Sequence, residues 1–181
     1  MLALTFLSLS FAACSYCQNN TEKDKHYSKA ESFSHKSGTA IQRQYSEIGK
    51  ISKCRFRVVH LTDLMSGEKL SALAIEYEHL FAGSSTTNTA LLDVDEVDNY
   101  LKTVELILSQ ILHNKPKDYS EVIFRSRDGF ESGCFLKTAS DWRDWVGFFK
   151  VDEFDSESFL SFEQRDFEKL KDILQNARSL L

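Results

Sequence analysis

Five histidines and four cysteines are the side chains best able to act here as bases, nucleophiles or metal ligands, and their spacing limits what they can do. His26 and His35 lie in a polar stretch, His113 sits where a helix should end, and His60 and His79 fall in strand-like runs. No H-x-x-x-H, H-E-x-x-H or Cys/His zinc spacing occurs, so neither a metal nor another cofactor is expected. His113 has an electrostatic account, since a cationic imidazole suits the negative end of a helix. Cys14 and Cys17 have the C-x-x-C spacing, but they lead into a polar tail instead of capping a helix in a βαβ unit. Cys54 and Cys134 have two readings: a disulfide in an oxidising compartment, or two small buried apolar side chains. A nucleophilic thiol needs a base beside it, and nothing in the sequence places one near Cys134.

Two charged clusters remain. The run Asp93-Val94-Asp95-Glu96-Val97-Asp98 lacks the central glycine and closing glutamate of a calcium loop and suits the start of a helix instead. In Asp141-Trp142-Arg143-Asp144-Trp145, a Trp among charges offers flat apolar area with an N–H donor, suited to a glycan or a protein surface. Trp142 is the ligand-binding candidate. Trp145 alternates with Gly147, Phe149 and Val151 on one strand face and is expected in the core. Arg125 and Arg127 are too few for a nucleic-acid stripe.

The elements that must carry these residues read as an α+β fold. Cys54–Leu61 and Leu70–Tyr77 form a hairpin about Ser66-Gly67, the Gly83–Asn88 segment reads as a loop, and Thr89–Leu92 as a short strand. Val97, Leu101, Val104, Leu108 and Ile111 form a helical stripe behind an Asp93/Glu96 capping box. After Pro116 the order restarts. Glu121–Arg127 and Phe130–Leu136 flank an Asp128-Gly129 turn, and Trp145–Val151 and Ser158–Leu160 follow. A second helix carries Phe167, Leu170, Leu174 and Ala177, with Ser161 and Gln164 as its expected capping box. The expectation is antiparallel sheets with two helices, in a tandem repeat of a strand-hairpin-plus-helix unit over 54–113 and 119–181, each helix packed on its own hairpin. This order resembles the ββββα units of the whirly and PUR-type nucleic-acid-binding folds, a likeness of topology that carries no function by itself.

Residues 1–13 are apolar, too short to span a bilayer, and suit a signal peptide. Phe11-Ala12-Ala13-Cys14 resembles the lipobox of bacterial lipoproteins, which implies a lipid on Cys14 and a membrane anchor. Residues 14–50 are polar and aperiodic and read as a flexible tether ahead of a single domain over 51–181. From residue 51 onward, 16 basic and 23 acidic residues leave a charge of 16 − 23 = −7, which argues against a nucleic-acid partner. Asp128-Gly129-Phe130 and Gly133-Cys134-Phe135 resemble a pattern in small exported bacterial proteins, a likeness that implies export and brings no activity. The expected function is a non-catalytic extracytoplasmic binding or structural module in the cell envelope. Its partners would be a membrane, through the lipid anchor, and a protein or glycan. Nucleic-acid binding through the whirly-like topology and an unrecognised hydrolase are the alternatives.

Overall fold

Alternation along Cys54–Asp63 (β2) puts Cys54, Phe56 and Val58 on one face at 0% exposure, so this strand founds the core. The computed structural model describes residues 27–81, 84–139 and 142–181; the side chains of residues 80, 81, 139 and 142 are outside the description. The expected signal segment at 1–13 and the lipidation residue Cys14 therefore lie outside the described residues.

Ile41–Ile51 (β1), β2, Lys69–Phe81 (β3) and Ser84–Leu92 (β4) form an antiparallel sheet in chain order. Its register places Phe56 opposite Ile75 and Ile75 opposite Ala90, which builds one continuous apolar face. Glu121–Arg125 (β5), Glu131–Ala139 (β6), Trp142–Lys150 (β7) and Phe159–Phe162 (β8) form a second antiparallel sheet, again in chain order. A helix follows each sheet: Val94–Leu106 (α2), ending in a π-helical turn over Ile107–Ile111, and Asp166–Leu180 (α3). The fold is thus α+β, two four-stranded antiparallel sheets with few helices.

Several expectations are corrected. The tether does not reach residue 50, because Lys29–Ser34 (α1) and β1 are built from it. β1 gains its order from pairing along β2, and α1 from burying Ala30 and Phe33 on the outer face of the first sheet against Val59, Leu61, Ala72 and Ala74. The folded part thus begins before residue 51. Most of the expected Gly83–Asn88 loop is strand from Ser84 on, where threonines suit a half-exposed pleated surface. Ser161 does not cap a helix. It lies in β8, whose alternation takes Leu160 and Phe162 into the core, and α3 begins after a turn at Glu163-Gln164-Arg165. Nor does each helix keep to its own hairpin. Tyr100 of α2 stacks on Phe124 of the second sheet at 4.6 Å and donates to Ser132 at 2.6 Å, while Ile173 of α3 lies against Gly49 of the first. Both sheets and both helices share one core, with Phe56 and Phe149 meeting edge to face at 5.7 Å.

The α2 stripe also turns from its expected position. Val97, Tyr100, Val104 and Ile107 are fully buried, whereas Leu101 is half-buried at the margin. Leu170 of α3 is at 0% exposure. Leu170→Ala should therefore cost about 2–5 kcal/mol, and Leu101→Ala about 1–2 kcal/mol. Denaturant midpoints check both, and equal shifts for the two would contradict this orientation of α2.

Candidate functional site

The second sheet covers the core with one face and leaves the other open, and the open face is where apolar side chains collect without cover. Period-two alternation sends Cys134, Trp145, Phe149 and Phe162 inward and Ile123, Phe135, Phe148 and Phe159 outward. Register aligns the outer set across the strands: Ile123 pairs with Gly133, Gly133 with Phe148, and Lys150 with Phe159. Phe148 stacks with Phe159 at 5.6 Å between centroids and lies 6.1 Å from Phe135. Gly133 keeps the middle of this floor low, since a Cβ there would run into the carbonyl oxygen of Val122. The result is a shallow trough of about 600 Å³. Tyr119 and the segment between β7 and β8, which carries Glu153, Phe154 and Ser156, form its walls. Ile123, Phe159, Tyr119 and Phe154 are 41%, 46%, 67% and 78% exposed. Phe148 between them is buried at 5% exposure, and the exposed apolar groups around it form a patch of the kind that marks interaction sites.

The Asp128-Gly129 turn is held elsewhere. Gly129 has φ +85°, which a glycine adopts at no cost, and Phe130 behind it is fully buried. Asp128 accepts from the Ser28 N–H at 2.8 Å and its hydroxyl at 2.9 Å. Asp93, the N-cap of α2, forms the expected capping box with Glu96. Its carboxylate also accepts from the N–H groups of Lys29 and Ala30, and from Arg127 at 2.8 Å. Arg127 further binds Asp95, which holds that carboxyl below its usual range. Burial raises the Glu96 carboxyl, with the N–H groups of Arg127 and Asp93 pulling it down. The acidic run is thus the start of a helix and the anchor of α1. Both arginines of the turn are spent in ion pairs, Arg125 with Glu131 at 2.5 Å and Arg127 within this cluster.

The other candidates disperse. His60 bonds Ser71 at 2.8 Å, and His79 stacks on Tyr77 with its Nε2 3.5 Å from Asp155. Among the described residues no three His, Cys, Asp or Glu side chains are grouped to hold a metal. The bridge considered between Cys54 and Cys134 is not formed. Both are free thiols, packed as small apolar groups in the shared core, and burial pushes each thiol up to about 12, away from nucleophilic use at neutral pH. Trp145 is buried as expected and donates to the Asn114 carbonyl at 2.7 Å. Trp142, the ligand-binding candidate, opens β7 opposite Ala139, and its side chain lies outside the described residues.

No known family model matches this chain, and no curated protein matches it. Any reading of its activity therefore rests on the trough and on the sequence.

Proposed function

We propose that this protein is a non-catalytic binding module of the cell envelope, exported and held to a membrane by a lipid on Cys14, and that it binds its partner on the outer face of the second sheet. The observation that carries the reading is the aromatic floor in which exposed Phe159 and half-buried Phe135 flank the buried Phe148, continued by exposed Ile123, Tyr119 and Phe154. Aromatic rings give large contact area with few rotatable bonds, which suits binding. For the hydrolase alternative the buried thiols have no base bonded to them, and the Ser71–His60 contact at 2.8 Å has no carboxylate orienting its ring among the described residues. The basic side chains do not favour nucleic acid either, since Arg55 and Arg57 on the first sheet lie against Glu76 and Glu78.

A photoreactive benzoylphenylalanine in place of Phe159 should crosslink to discrete envelope components in cells, whereas the same group in place of Tyr45 on the other sheet should not. Equal crosslinking from both positions would remove the site. Palmitate labelling that is lost in Cys14→Ser tests the anchor separately, and labelling that persists in that variant would refute it.

A further inference from the structure

The charge around the trough narrows what it can bind, an inference that rests on the reading of this face as the binding site. Glu121 and Glu131 stand on its strands, and the segment between β7 and β8 adds Glu153. Lys150 is the base in that lining, so its balance is 1 − 3 = −2, with Arg125 at the edge paired to Glu131. Glu131 is paired with Arg125 at 2.5 Å, whereas Glu121 is ordered by a neutral donor. Glu121 accepts from the Tyr119 hydroxyl at 2.8 Å, a bond that fixes its geometry and leaves its charge in place.

The acids also stand at both ends of the floor. Glu153 lies beside the Gly129 turn, where its side chain fills the space a Cβ on Gly129 would need. Glu121 pairs with Phe135, four residues along β6 from Glu131, a separation of about 13 Å at strand rise. An anionic partner would bring like charge to both ends, which is costly. The trough is open and crosses all four strands, so an extended chain fits it better than an enclosed small molecule.

We propose that this face binds an extended segment of a partner protein in which lysine or arginine flanks aromatic or aliphatic side chains. The apolar side chains lie on Ile123 and Phe159. The cations reach Glu121 at one end and Glu153 at the other, with ring faces adding cation–π attraction. Rim charges of this kind speed encounter and select the partner, and the aromatic floor supplies most of the affinity.

The probes are two extended peptides, one alternating Phe and Lys and one alternating Phe and Glu, titrated into the full chain. The Phe/Lys peptide should bind about tenfold or more tightly at 50 mM salt, with the gap narrowing at 500 mM as screening shortens the reach of the rim. Glu121→Lys combined with Glu153→Lys should reverse the preference. Phe159→Ser, at a half-exposed position, should weaken Phe/Lys binding while leaving thermal stability near wild type. If both peptides bind equally and Phe159→Ser weakens both, the cationic partner is overturned and the face stands. If Phe159→Ser leaves binding unchanged, the face itself is refuted. Tighter binding of a single-stranded oligonucleotide than of the Phe/Lys peptide would also overturn the proposal.

Discussion

Gly133→Ala should destabilise the protein by about 3 kcal/mol, the upper part of the range for overpacking. The added methyl would fall on the Val122 carbonyl oxygen, with the Val122 carbonyl carbon and the Ile123 Cα also within 3.2 Å. These are backbone atoms of a paired strand, so no rotamer change relieves the clash. Either β5 moves away from β6 or the β6 backbone bends. Both weaken the pairing of Glu121 through Arg125, and both lift the middle of the aromatic floor. Gly67→Ala is the control, because Gly67 has φ +77° with nothing within 4 Å, and only backbone strain of about 1 kcal/mol is expected there. Denaturant midpoints and amide exchange over 121–125 check the pair. A Gly133→Ala variant as stable as wild type, with β5 still protected, would show that the two strands are less closely fitted.

The same close fit separates what could be read along the chain from what could not. β2, the Asp128-Gly129 turn and the Asp93/Glu96 cap announce themselves through local patterns, and each forms. β1 does not, because Gln42 through Glu47 are all exposed on an edge strand and carry no apolar alternation. Its order comes from ten backbone pairings with β2, which no local pattern encodes. α1 has six residues, two of them buried, and depends on acceptors at Asp93 and Asp128, far along the sequence. At Ser161 a good local capping pattern lost to Phe162, whose ring stacks on Phe149 at 4.4 Å and meets Phe167 at 5.0 Å. Tertiary burial outweighs a cap worth about 1 kcal/mol.

The trough was hidden for a related reason. Counting alternate residues from Trp145 picks out the inward face of β7, and the same count shifted by one gives Val146, Phe148 and Lys150 outside. What the count cannot supply is register. Phe135, Phe148 and Phe159 come from three different strands and become one surface only once Phe135 is opposite Val146 and Lys150 opposite Phe159. The Gly133-Cys134-Phe135 triplet divides in the same way, with Cys134 to the core and its two neighbours to the floor.

Asp93→Ala should cost about 3 kcal/mol, near the low end for removing one partner of a buried charged cluster. Asp93 is 4% exposed, and its carboxylate accepts from Lys29 N–H at 2.8 Å, Ala30 N–H at 3.1 Å and the Arg127 guanidinium at 2.8 Å. Truncation leaves the Ala30 N–H buried without an acceptor, which costs about 1–3 kcal/mol for such a group. It also takes one of three carboxylates from Arg127, although Asp95 and Glu96 remain to hold that side chain in place. The damage should therefore concentrate on α1, whose N-terminus loses two acceptor contacts while Ser28 keeps its bonds to Asp128. Trypsin should then cut at Lys29 and Lys36 faster than in wild type, before the sheets unfold. Asp93→Asn retains an oxygen for one N–H and should lose roughly half as much, since a neutral acceptor bonds more weakly than a carboxylate. In a double-mutant cycle, Asp93→Ala and Arg127→Ala should couple, because the two side chains share one network. Additive losses, or a wild-type midpoint for Asp93→Ala, would mean that α1 is held by the burial of Phe33 alone and that the acidic run serves only to cap α2.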